Sequence, residues 1–168
     1  MIVLATLPLL LEHGERVTSR QIAEAAGIAE GTIFRAFADK DELIAAVLDV
    51  ALDQQALENA LAGIDPAQEV PEVLDAAIAV LQQRVIDIWR LVSSVGTRYA
   101  ERSRRPMTDS HALVQLLEWH RDELSVPPLA AARLLRALTL STTHPMLADE
   151  PMSPGDIRQL FLHGVGRC

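Results

Sequence analysis

Only one stretch of the chain has residue types and spacing suited to a recognisable chemistry. It runs from Thr18 to Phe37, TSRQIAEAAGIAEGTIFRAF. Thr18 and Ser19 carry hydroxyls able to cap the free N–H groups of a helix start. Ile22, Ala23 and Ala26 recur at helical spacing and define one short buried face. Gly27 follows the last periodic residue, where a left-handed C′ residue is favoured. A three-residue turn then leads to a second short helix, about Ala29 to Phe37, with Ile33 and Phe37 four apart on its inner face. Helix, tight glycine turn, helix is the helix-turn-helix pattern, whose second helix lies in the DNA major groove. The same residues also fit an ordinary αα-hairpin inside a bundle.

Other chemistries leave no trace. No G-x-S-x-G, P-loop, G-x-G-x-x-G, H-E-x-x-H or C-x-x-C occurs in the sequence. The histidines at 13, 111, 120, 144 and 163 have no metal-ligand spacing with one another or with the lone Cys168. No cofactor, metal or catalytic activity is therefore expected. A single cysteine allows no disulfide within the chain, which points to a cytoplasmic protein, with Cys168 an uninvolved tail residue. No apolar run reaches the roughly 18 residues of a membrane span. Met1 to Leu11 lacks a basic start and a cleavage site, so it reads as a core helix, not a signal peptide.

Composition favours helix packed on helix. Hydrophobic residues make up 49% of the 168 residues but aromatics only 4%, and no β-branched run alternates with period two, so no sheet is expected. The length allows one or two small domains. Net charge is −8. Within residues 1–62, four basic residues (Arg16, Arg20, Arg35, Lys40) stand against ten acidic ones, giving −6. That weighs against tight DNA binding, which draws on Lys and Arg at phosphates. Only the face turned to DNA need be positive, however.

Around the motif, the first helix spans about Ile2 to His13, with Pro8 costing one hydrogen bond and kinking it. A fourth helix is expected from about Lys40 to Ala62, ended by Gly63-Ile64-Asp65-Pro66. A very apolar fifth runs from near Pro71 to about Val95 and is expected to be central. Arg98 to Arg105, RYAERSRR, reads as a solvated linker or, alternatively, an anion or ligand-entry loop. Asp109 or Ser110 can cap the next helix. Pro127-Pro128 opens another, which ends near His144. The last spans about Pro154 to Gly164, with Ile157, Leu160 and Phe161 at i, i+3 and i+4.

The block LPLLLEHGERVTSRQIAEAAGIAEGTIFRAFADKDELIAAVL resembles the N-terminal domain of TetR-type transcriptional regulators. The parts come in the family's order: a glycine, T-S-x-x-I-A-x-x-A-G-I, then G-T-I-F-x-x-F, then K-x-x-L, across residues 2–50. The resemblance implies an all-α fold. Residues 1–50 would form a three-helix, helix-turn-helix DNA-binding domain, and residues 51–168 a helical ligand-binding and dimerisation domain. It places DNA contacts on Thr18, Ser19, Arg20, Ala29, Glu30, Gly31, Thr32, Phe34, Arg35 and Lys40.

With those contacts, Arg20 is suited to a bidentate pair with guanine and Glu30 to a cytosine amino group. Glu30 serves equally well as compensation for its helix dipole. Thr32 and the N–H groups near Gly31 suit a phosphate, as does Lys40. Phe34, where the family often has tyrosine, offers apolar contact only. Trp89, Tyr99, Trp119 and His120 are candidates to line a ligand cavity, each with a plain core role as the alternative. Leu134, Leu138, Ile157, Leu160 and Phe161 are candidates for a dimeric four-helix bundle.

The implied protein is a homodimeric repressor with a double-stranded, pseudo-palindromic operator and a small, largely apolar effector. The family's N-terminus is usually longer and basic, so a segment ahead of Met1, or a misassigned gene start, is expected. The acidic N-terminal half, Phe34 and Ala36 support a rival: a helical ligand-binding or dimerisation module with degenerate DNA recognition. A helical enzyme with an unrecognised site is a third reading.

Overall fold

A computed structural model describes residues 1–96, 99 and 108–165. The described residues form an all-helical fold with no strand element. The chain divides into two compact units: Met1–Asp53 with Ile88–Pro106, and Gln54–Asp87 with Met107–Cys168.

The first unit holds α1 (Ile2–His13), α2 (Ser19–Ala26), α3 (Glu30–Ala36) and α4 (Lys40–Ala51). It also takes the end of α6 (Val70–Ser94). Its core is one cluster built on Leu10, Ile22, Ile33, Leu43, Ile44 and Leu48, joined by Leu91, Val95 and Tyr99. Helix α1 continues through Pro8, which lies on its exposed side. Leu4, the residue whose carbonyl loses its partner there, is itself 67% exposed, so water can satisfy that group.

The turn between α1 and α2 is held from two sides. Gly14 has φ +59° and ψ −142°, a combination open essentially only to glycine. A Cβ there would stand 2.4 Å from the Ser94 carbonyl oxygen. Lys40 donates from Nζ to the Glu15 carbonyl at 2.7 Å and the Val17 carbonyl at 3.4 Å. The Tyr99 hydroxyl donates to Asp41 at 2.6 Å.

The second unit holds α5 (Gln55–Ala62), the larger part of α6, α7 (His111–Trp119), α8 (Pro128–Thr143) and α9 (Pro154–Val165). Leu61, Leu74, Ile78, Leu113, Leu117, Leu135, Ile157 and Phe161 form its core. Ser110, not Asp109, caps α7, accepting the Leu113 N–H at 3.2 Å. Asp109 instead accepts both donors of Arg133, at 2.8 and 2.7 Å. Pro128 occupies the first turn of α8, where its missing N–H costs nothing.

One expectation fails on its length. The helix foreseen from Lys40 to Ala62 is two helices, α4 and α5, separated at residues 52–54. The ladder tightens as it ends: the Asp53 N–H bonds the Val50 carbonyl at 3.3 Å. The Gln54 amide then donates to Glu58 at 2.8 Å and to the Asp109 carbonyl at 3.1 Å. The break lets each half choose its own phase. The apolar face of α4 enters the first core, while Leu57 and Leu61 of α5 enter the second.

Glu58 ties α5 to the start of α7. Its carboxylate accepts the Gln54 amide and the Ala112 N–H, each at 2.8 Å. Burial disfavours its charge, but those two bonds, one from Ser110 and the nearby Arg136 outweigh that and lower its pKa below 4.5. A carboxyl lowered on folding stabilises the fold above its unfolded pKa. That contribution should be complete above about pH 4.5 and vanish as pH falls through the lower folded value. Urea midpoints compared across that range for wild type and Glu58→Gln should converge at the acid end. A gap that stays constant with pH would contradict an ionised Glu58.

Candidate nucleic-acid interface

The helix-turn-helix is built by local signals. Thr18 caps α2: its hydroxyl accepts the Gln21 N–H at 3.2 Å, and the Gln21 side chain accepts the Thr18 N–H at 2.8 Å. Each side chain thus covers an orphan donor of the other's backbone. Gly27 ends α2 at φ +66° in the left-handed region. Ala29 is the N-cap of α3 and has no side chain able to cap. Ile33 is buried to 2% and pins α3 against Ile22 and Leu43 in the first core.

The outer face of these two helices carries most of the expected contact residues. Thr18, Arg20, Ala29, Glu30, Gly31, Thr32, Phe34 and Arg35 are exposed, and Ser19 is half-buried. Phe34 keeps 53% of its surface in water, a large exposure for an aromatic. Among the described residues neither Arg20 nor Arg35 pairs with a carboxylate. Two exposed cations without an ion pair therefore stand on α2 and α3 of an otherwise acidic N-terminal half.

Lys40 is placed differently from the rest. It is half-buried and bonded to two backbone carbonyls, so its ammonium already holds the α1–α2 turn. Gly31 is informative for the opposite reason. Its φ is not positive, and a Cβ there would meet nothing within 4 Å. Neither backbone conformation nor internal packing demands glycine at this position.

The candidates for a ligand cavity are divided between the units. Trp89 and Tyr99 belong to the first, Trp119 and His120 to the second. Trp89 is half-buried, and Tyr99 is a core residue bonded to Asp41. His120 is buried at the end of α7, with Nδ1 3.3 Å from Glu123. Trp119 is 66% exposed and is among the residues lining a surface groove of about 440 Å³ between α5 and α7. Sequence reasoning missed the rest of that groove. Its trace was nonetheless present: Gln55 and Asn59 are four apart on α5, and His111, Gln115 and Trp119 are four apart on α7. The stretch from Arg98 to Arg105 lies, apart from Tyr99, outside the described residues.

The residues put forward for a dimer seam divide as well. Ile157 and Phe161 are buried in this chain's own core, so they are not a free face. Helix α9 packs on α8 through the side that bears them, which turns Leu160 outward at 50% exposure. Leu134 is 48% exposed and Leu138 half-buried.

Residues 2–47 match the family described as "Bacterial regulatory proteins, tetR family". The chain is 30% identical over 152 residues to the HTH-type transcriptional repressor Rv3405c of Mycobacterium tuberculosis, covering 82% of this chain and 78% of that protein. This chain belongs to the TetR family of bacterial transcriptional regulators. Solved structures of TetR-family folds agree along nearly its whole length. SmeT, the repressor of the Stenotrophomonas maltophilia multidrug efflux pump SmeDEF, superposes with a TM-score of 0.56 at 22% identity, over 99% of this chain and 89% of SmeT. The TetR-like regulator LfrR of Mycobacterium smegmatis, solved with proflavine, gives a TM-score of 0.54 at 20% identity, over 97% and 91%. As a TetR-family member the protein is a transcriptional regulator, not an enzyme. Among the described residues no helix is long and apolar enough to cross a membrane, and no cluster has the makings of a metal site.

Proposed function

We propose that the protein is a homodimeric, cytoplasmic repressor that reads a pseudo-palindromic operator through α2 and α3 and leaves it when a small molecule binds. The exposed α2–α3 face, with unpaired Arg20 and Arg35, supports this reading most directly. Residues 1–50 hold the DNA-reading unit, and effector binding and dimerisation belong to residues 51–168. Arg20 reads guanine, Glu30 and Phe34 meet base edges, and Thr18, Ser19, Thr32 and Arg35 fix the register on phosphates. Lys40 supports the face by fixing the turn behind it. Leu134 and Leu160 are the exposed apolar residues best placed for the dimer seam. Three relatives support repression and small-molecule control: one is a repressor, one represses an efflux pump, one holds proflavine.

Selection from random duplex DNA at physiological salt tests the reading. An enriched inverted repeat is the expected result; no enrichment from an intact dimer would instead favour the binding-module rival. Gly31 gives a sharper test of the face. Nothing inside the chain requires glycine there, and alanine at this first-turn position of α3 has a lower conformational-entropy cost. Gly31→Ala should therefore fold at least as stably as wild type yet bind the selected operator about tenfold more weakly, because its methyl blocks close approach of the DNA backbone. Unchanged operator affinity in that variant would show that α3 does not approach the DNA at this point.

A further inference from the structure

Helix α3 buries Ile33 and carries a mixed pair of side chains to one side of it. Glu30 and Phe34 are four residues apart, so their Cβ atoms lie roughly 5–6 Å from each other along the same side of the helix. Both residues are exposed. Among the described residues the Glu30 carboxylate has no ion pair or hydrogen bond. Phe34 keeps 53% of its surface in water and has no hydroxyl to place there. Gly31, three residues before it, has no side chain to cover the ring, and a Cβ built there would meet nothing within 4 Å. The pair thus presents an unused acceptor beside an unused apolar face.

We propose that Glu30 and Phe34 together read a single 5-methylcytosine in each half-site, so that methylation of the operator strengthens repressor binding. The inference rests on the repressor reading given above and goes beyond it in naming the base. In the major groove a carboxylate accepts only from an exocyclic amino group, and it is repelled by O4 of thymine and by O6 and N7 of guanine. An apolar ring finds its partner in a C5-methyl group. Cytosine offers the amino group without the methyl, and adenine does the same. Thymine offers the methyl beside a repelling O4. In 5-methylcytosine the N4 donor and the methyl stand on adjacent ring atoms, and pairing with guanine leaves both in the major groove. The paired guanine presents O6 and N7 to an arginine, and α2 and α3 each supply an exposed one, Arg20 and Arg35. Covering one methyl group with the ring is worth about fourfold in affinity.

The test selects operators with the full chain from two random duplex pools, one made with cytosine and one with 5-methylcytosine throughout. Within the enriched half-site, 5-methylcytosine and thymine are then placed singly at each cytosine position. One position per half-site should bind about fourfold more tightly when methylated, and about tenfold or more when both half-sites carry the methyl. Thymine at that position should bind about tenfold more weakly than 5-methylcytosine. Phe34→Ala should erase the difference between methylated and unmethylated duplexes, whatever its absolute affinity. Glu30→Gln should narrow the gap between 5-methylcytosine and thymine, because an amide can turn its N–H groups to O4. The scan with the wild-type chain decides the matter even where a variant fails to fold. No cytosine whose methylation strengthens binding, a gain that survives Phe34→Ala, or thymine bound as tightly as 5-methylcytosine would each overturn the proposal. The repressor reading fails separately, and takes this proposal with it, if neither pool yields an enriched repeat.

Discussion

Arg20→Ala should cost the dimer at least about a hundredfold in affinity for its selected operator, because one good bidentate base contact is worth roughly 1–3 kcal/mol and two copies read two half-sites. Folding should be unaffected: Arg20 is exposed and, among the described residues, its side chain bonds to nothing in the chain. Surface changes of that kind shift stability by about 0.5 kcal/mol or less. Titration against the operator and a scrambled duplex, each at several salt concentrations, separates the two roles Arg20 can take. A base reader loses operator affinity far more than scrambled affinity. A phosphate contact loses both alike and flattens the salt dependence by about one counterion. Equal loss on both duplexes would move the guanine contact away from Arg20. No loss on either would remove α2 from the interface.

The largest expected stability effect falls on a residue with no chemistry at all. Gly14→Ala should lower the melting temperature by about 10 °C, since a non-glycine backbone strain of about 1–3 kcal/mol adds to an overpacking cost of similar size. The new Cβ would lie 2.4 Å from the Ser94 carbonyl oxygen, a distance real Cβ atoms do not show, and backbone cannot rotate away as a side chain can. Gly27→Ala is the control. Its φ of +66° imposes left-handed strain of about 1–2 kcal/mol, but nothing lies within 4 Å. Circular-dichroism melts should therefore place Gly14→Ala well below Gly27→Ala. The reverse order would mean that the end of α6 does not brace the α1–α2 turn. Such bracing bears on function, because the turn carries α2 and its Arg20.

What could be read from residues alone is what local energies decide. The Thr18–Gln21 capping pair, the left-handed Gly27 and the Ile22, Ala23 and Ile33 core face act within one or two turns of helix. Each stabilises its own segment before anything distant is in place, so the helix-turn-helix and its family were legible. Proline at 128 opened α8 for the same reason. The tertiary structure decided matters in which two distant segments compete or meet. Apolar period alone suggested one helix from 40 to 62; two separate cores required two phases and broke it at 52–54. Ile157, Leu160 and Phe161 looked alike as apolar residues, yet packing on α8 buried two and left the third in water. Lys40 read as a phosphate contact, but only the fold showed that its ammonium also donates to the carbonyls of Glu15 and Val17, more than 20 residues away. A groove exists only where α5 and α7 lie side by side. Its residues repeat every four positions on each helix, but that spacing marks a surface stripe without saying what faces it.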